Sequence, residues 1–270
     1  MIPEPTFCLS MDADHHSGTY RFSTNNTVFY VEAHPEADID EADYGFPPAI
    51  LEILERTPRP HECNWADIRG NNRVEWSKRP LKGLMSCWHQ EKIDLRDLEP
   101  VKYLRHRVWQ VRYRGRLSVA KIARFEFELP WVERETLVYS IIDGESIGPP
   151  FLGHLMEEGR VMGLLLEYVP DARPAGPADL AKCLTVLRKL HAFHILHTDT
   201  NIYNFLITET GVGLMCDFED CKLDVDSVEL EQEEHDLRTK LQEDIGQSNE
   251  DGSDVGQERL KRQTVGQYRI

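Results

Sequence analysis

The segment His197-Thr-Asp-Thr-Asn-Ile-Tyr-Asn204-Phe-Leu-Ile-Thr-Glu-Thr-Gly-Val-Gly-Leu-Met-Cys-Asp217-Phe-Glu219 holds the densest set of chemically capable side chains in the sequence. Two short apolar runs flank Glu209-Thr-Gly211 within it and read as a hairpin. Such a hairpin brings Asn204, at the start of one strand, beside Asp217, at the end of the next. An amide oxygen and a carboxylate so placed suit a hard cation such as Mg²⁺, which takes few protein oxygens and keeps waters or phosphate oxygens for the rest. Asp199 lies in the polar loop ahead of Asn204, where a carboxylate can accept a hydroxyl proton. Upstream, Lys121 stands among Val119, Ala120, Ile122 and Ala123. A lysine so flanked is either an exposed strand lysine or a buried ammonium, and the buried form requires a partner.

The elements that must position these groups follow from periodicity. Val101–Leu104, Val108–Tyr113 and Leu117–Ala123 read as strands, with a turn at Gly115 between the last two. Trp131–Ile142 has helical spacing, with Val132, Thr136 and Tyr139 on one side and Leu137 and Ile141 close by. Phe151–Leu155 and Val161–Val169 flank Glu157-Glu-Gly-Arg160 as a second hairpin. These pieces predict a small antiparallel sheet with one helix against it. Leu180, Cys183, Leu184, Leu187 and Leu190 then form one apolar helical stripe, entered through Pro177 and Asp179. Glu229–Asp244 can form a further helix with Leu230, Leu237 and Leu241 inward. Ahead of all this, strands over Thr19–Phe22 and Val28–Val31 flank Asn25-Asn26, and a short helix over 49–56 follows Pro47-Pro48.

The pattern H-x-D-x-x-x-x-N, followed by D-F, resembles the catalytic and metal loops of the protein-kinase-like superfamily. Its His-Thr-Asp-Thr-Asn-Ile-Tyr-Asn form is similar to the loops of RIO-type kinases and aminoglycoside phosphotransferases. That resemblance implies Asp199 as catalytic base and Asn204 and Asp217 as Mg²⁺ ligands. Val119-Ala-Lys121-Ile looks like the strand whose lysine pairs the α- and β-phosphates of ATP. Glu135 resembles the helix glutamate that holds this lysine, with Glu133 as the alternative. Leu164-Leu-Leu-Glu167-Tyr-Val169 is similar to the hinge, where backbone groups from Glu167 to Val169 bind adenine. The wider chain, including Leu98-Glu-Pro-Val-Lys-Tyr-Leu-Arg-His-Arg107, looks like filamentous-fungal kinase-like proteins.

The implied fold is α+β and two-lobed, with a small antiparallel sheet in the N-lobe (98–166), a hinge (167–170) and a reduced helical C-lobe (171–245). Residues 1–97 read as an extension without a chemical signature, and 246–270 as a disordered acidic and polar tail. Three features depart from the family pattern. The expected glycine-rich turn reads Leu104-Arg-His-Arg-Val-Trp-Gln-Val111, so side chains of Arg105, His106 or Arg107 would have to reach phosphate where backbone cannot. The metal loop has Glu219 where protein kinases carry glycine. About 50 residues follow Asp217, which shortens the helical part; Asp236 is the candidate acid to brace the catalytic loop, or else a solvated helix acid.

Lys and Arg total 31 against 47 Asp and Glu, a formal net charge of −16 that disfavours nucleic acid and anionic membrane surfaces as partners. The six cysteines show no C-x-x-C pair, the first residues lack a secretory pattern, and no apolar run reaches membrane-spanning length. The expectation is a cytoplasmic or nuclear protein that uses ATP and Mg²⁺ to phosphorylate a hydroxyl-bearing protein or metabolite. The alternative is a pseudokinase that keeps the fold as a nucleotide-binding or scaffold module. His191, His194 and His197 read as helix-end and loop framework rather than a metal cluster.

Overall fold

Asn25 and Asn26 both take left-handed backbone angles (φ +53° and +56°), the requirement of a tight two-residue hairpin, and so set the register of the first sheet. The computed structural model describes residues 5–247. Strands β1 (Phe7–Ala13), β2 (Gly18–Thr24) and β3 (Thr27–Ala33) form an antiparallel meander. Helix α1 (Pro47–Glu55), opened by prolines in its first turn, leads to β4 (Trp65–Arg69), which lies parallel to β3. β5 (Arg73–Ser77) completes a five-stranded sheet in the order β1-β2-β3-β4-β5. Ile50, Ile53 and Leu54 of α1 are buried in one cluster with Tyr20, Phe22, Val31 and Ile68.

The second sheet has six strands: β6 (Lys92–Asp94), β7 (Glu99–Arg105), β8 (Val108–Tyr113), β9 (Arg116–Ile122), β10 (Phe151–Glu157) and β11 (Arg160–Glu167), in the order β6-β10-β11-β9-β8-β7. Its pairs are antiparallel except β6 with β10. Sequence periodicity predicts five of these strands. β6 is invisible to it, because three residues with a single buried side chain, Ile93, show no alternation. Close packing of β11 on β9 depends on Gly163, since a Cβ there would collide with the Lys121 carbonyl oxygen. Helix α2 (Leu129–Ile141) buries Val132, Glu135, Thr136, Val138 and Tyr139. Leu137 is only partly buried and Ile141 is exposed, so the buried stripe runs through Glu135 rather than toward those two residues.

A third sheet of three short strands, β12 (Arg173–Pro174), β13 (Phe205–Ile207) and β14 (Gly213–Met215), packs with helices α3 (Leu180–His191) and α4 (Ser227–Gln247). Asp179 secures the entry to α3 by accepting the Gly176 N–H at 3.0 Å. Leu237 and Leu241 of α4 join Cys183, Leu187 and Leu190 of α3 in a core that continues into the six-stranded sheet. With four helices among the described residues, the chain is mixed α+β. The tail read from 246 onward lies outside the described residues, apart from 246–247 at the end of α4. The first sheet is fastened to the second by a buried pair of Arg21 with Glu157, and by Arg160, which donates to both Tyr30 (2.6 Å) and Glu157 (3.0 Å).

Candidate functional site

On β9, Lys121 projects from the face opposite Ala120 and Ile122, and there too it is buried, 4% exposed. Its ammonium lies 2.5 Å from Glu135, 2.5 Å from Asp217 and 2.9 Å from Glu219. Burial alone would drive the lysine to shed its proton. The three carboxylates outweigh that effect and raise its pKa above the ordinary lysine value. Glu135 is the partner on α2. Glu133, the alternative, instead accepts the backbone N–H groups of Met85 and Ser86, both at 2.8 Å. Burial pushes the Glu135 carboxyl upward, with Lys121 pulling it back. Burial acts the same way on Asp217, but Lys121 and Arg105 outweigh it and keep that carboxyl below its usual range.

The β13–β14 hairpin sets Asn204 against Cys216, the residue before Asp217. Phe205 faces Met215 in the ladder, and the Cys216 N–H donates to the Asn204 carbonyl at 3.0 Å. Asp217 then takes a left-handed conformation (φ +70°), after which Phe218 enters the core and Glu219 returns to the lysine. Asn204 is buried, and its Nδ2 donates to the Asp199 carbonyl (3.0 Å) and to Asp199 Oδ2 (2.9 Å). Both acceptors are oxygens, so the amide orientation is fixed: Oδ1 is the atom left for another partner. Asn201 also donates to Asp199 Oδ2 (2.9 Å), while Asp199 Oδ1 accepts no hydrogen bond among the described residues. Asp199 itself is exposed.

His197 is fully buried, and burial lowers its pKa and so favours the neutral ring. A carbonyl can only accept, so the 3.0 Å contact to the Cys216 oxygen makes Nε2 the protonated nitrogen. The ring also meets Phe218 edge-on. The imidazole therefore joins the two loops that carry Asp199 and Asp217. His191 pairs with Glu233 at 2.8 Å and His194 approaches the Val225 carbonyl at 3.3 Å. The three histidines thus take three separate partners and form no shared metal site.

The roles of two residues in this network were missed in the sequence. Glu233, not Asp236, braces the loop over 197–204: its carboxylate accepts the N–H of His197 (3.1 Å) and of Thr198 (2.6 Å). Asp236 lies nearly a turn further along α4, is exposed, and among the described residues accepts only from Gln232 (2.7 Å). The inward positions Leu230, Leu237 and Leu241 share a helix face with Glu233, and that spacing was the available signal. Glu219 is the second. It accepts two hydrogen bonds from Arg107 Nη2, at 2.8 and 3.0 Å, besides meeting Lys121. Arg105 meets Asp217 Oδ2 at 3.1 Å, and His106 faces Glu128 at 3.3 Å. Three acids (Glu135, Asp217, Glu219) therefore face three bases (Lys121, Arg105, Arg107) across one small site.

At the end of β11, the exposed Glu167 donates its N–H to the Pro150 carbonyl at 2.9 Å, and the half-buried Val169 follows in irregular backbone. Among the described residues, the groups able to hold a metal are Glu135, Asp217 and Glu219, and separately Glu32, His34 and Asp67. In the second group Asp67 is already committed to His34 and Arg79. Among the described residues, no helix is long and apolar enough to cross a membrane. Compared with known proteins, the chain matches no family model and no curated sequence.

Proposed function

We propose that the chain is a phosphotransferase of two-lobed, protein-kinase-like design, moving the γ-phosphoryl group of ATP to a hydroxyl of a protein or metabolite. One observation carries the reading: a buried ammonium, Lys121, is held between Glu135 and Asp217, while Asn204 and Asp199 are bonded to each other on the adjoining loop. The six-stranded sheet with α2 would be one lobe, the α3–α4 unit the other, and residues 167–170 the hinge, whose backbone would bind adenine.

The donor chemistry fits magnesium. Asp217 is held ionised, and the free atom of the Asn204 amide is its oxygen. Bound there, the ion would offset charge on the phosphoryl oxygens. Lys121, kept protonated by its three acids, would hold the α- and β-phosphates. Asp199 would orient the acceptor hydroxyl through Oδ1, its other oxygen being fixed by Asn201 and Asn204. As the hydroxyl oxygen bonds to the γ-phosphorus, the bond to the bridging oxygen breaks. ADP leaves with that electron pair, and the hydroxyl proton passes to Asp199.

A second reading, a nucleotide-binding scaffold with little turnover, is favoured by the glycine-free β7–β8 turn and by the pairing of Arg105 with Asp217. Thermal shift with ATP and Mg²⁺, against ATP and EDTA, tests binding. Transfer of labelled γ-phosphate by wild type, Asp199→Ala and Asp217→Ala then tests chemistry. Equal transfer by all three removes the phosphotransferase assignment, and metal-dependent binding without transfer selects the scaffold.

A further inference from the structure

The β7–β8 turn, His106-Arg107, stands where backbone would otherwise close over phosphates. Arg107 occupies a left-handed conformation (φ +65°) that glycine would adopt freely. The two arginines of this tip are held very differently. Arg107 is 8% exposed, donates twice to Glu219, accepts the Ile122 N–H at 3.1 Å through its carbonyl, and lies 5.1 Å over the Trp131 ring. It anchors the turn. Arg105 is half exposed and its guanidinium is tethered by one ion pair, Nη1 to Asp217 Oδ2 at 3.1 Å. A single pair with a half-exposed partner is weak and readily exchanged.

Asp217 Oδ1 is taken by Lys121, so Oδ2 is the oxygen a divalent cation would need, and Arg105 sits on it. With three acids balanced by three bases, the site offers a free metal ion little net attraction. A metal nucleotide changes this balance. A cation bound on Asp217 would replace the guanidinium, and the planar, fork-shaped group so released would be free to pair with phosphate.

Resting on the phosphotransferase reading, the geometry points to Arg105 as an exchangeable phosphate-binding residue: it blocks Asp217 Oδ2 when no nucleotide is bound and transfers to the nucleotide's phosphates when the metal nucleotide enters. It supplies by side chain what a glycine-rich loop supplies by backbone. It also makes metal binding depend on nucleotide, and by linkage nucleotide binding depend on metal.

The test measures two affinities on the full chain: Mn²⁺ alone, from the electron paramagnetic resonance of free ion, and ATP with Mg²⁺, by calorimetry. For Arg105→Gln, Mn²⁺ alone should bind on the order of tenfold tighter and the magnesium nucleotide on the order of tenfold weaker. Arg105→Lys should fall between wild type and Arg105→Gln in both, which covers the case where the first variant folds poorly. Affinities that do not move, or that move in the same direction, overturn the exchange. If wild type shows no saturable ATP binding and Asp217→Asn leaves Mn²⁺ binding unchanged, the metal-nucleotide reading fails, and the exchange with it.

Discussion

Glu233 accepts the backbone N–H of Thr198 at 2.6 Å, and Thr198 is held at φ +71°, a conformation that β-branched residues avoid. The same carboxylate takes the N–H of His197, so one side chain of α4 secures the strained entry to the loop that ends in Asp199 and Asn204. Glu233→Gln keeps the shape but turns one acceptor into a donor facing an N–H. The expected loss is about 2 kcal/mol in urea denaturation, from charge-assisted hydrogen bonds that can no longer form. Asp236→Ala, on the exposed face of α4, should change stability by less than about 0.5 kcal/mol. Comparable losses from both substitutions would remove the bracing role.

Lys121 is surrounded by acids to a degree that makes its removal costly regardless of any ligand. Lys121→Met leaves Glu135 buried without its counter-charge. A buried pair broken on one side typically loses about 3–5 kcal/mol. The double substitution Lys121→Met with Glu135→Leu removes both charges and should recover most of that loss. Chemical denaturation of both single variants, Lys121→Met and Glu135→Leu, and of the double variant reports the coupling directly, and additive losses would show that the two side chains do not interact.

Glu128 provides a pH prediction. Burial would raise its carboxyl, but His106 and Arg124 overcome this and hold it at about 2, below its ordinary 4.5. The depressed value means the carboxylate stabilises the fold fully above pH 4.5 and loses that contribution as pH falls toward 2. In thermal melts, Glu128→Gln should therefore lie well below wild type at pH 6, and the gap should narrow steadily on acidification. A gap that is constant with pH would mean that Glu128 acts by packing alone.

How much of this was legible in the sequence depended on the range of the interactions. The β13–β14 hairpin follows from two apolar runs around a glycine turn and was readable; its register sets Asn204 opposite Cys216, the residue before Asp217. The stripe of α3 was readable too, because helical spacing is a local property. The identity of the Lys121 partner was ambiguous between Glu133 and Glu135. The two differ by 200° around a helix, and only the direction of approach of β9 decides between them. Glu219 and Arg107, 112 positions apart, leave no local trace at all. β6 is equally silent, since its place in the sheet is set by the exposed backbone edge of β10 rather than by its own pattern.

Asp199 and Asp217 should separate chemistry from binding. Asp199 is exposed, and its contacts are with Asn201 and Asn204, so Asp199→Asn can keep the loop in place with its amide oxygen toward those donors. Stability and nucleotide affinity should stay within about twofold of wild type, while turnover falls on the order of 10²- to 10⁴-fold for loss of a proton acceptor. Asp217→Asn removes a charge that both Lys121 and Arg105 face, so its first effect should be on affinity for the magnesium nucleotide, with turnover falling in consequence. Calorimetry with single-turnover kinetics on the two variants distinguishes the roles. If Asp199→Asn weakens binding as much as it slows transfer, Asp199 positions the nucleotide and is not the base, and the acceptor hydroxyl must be activated elsewhere.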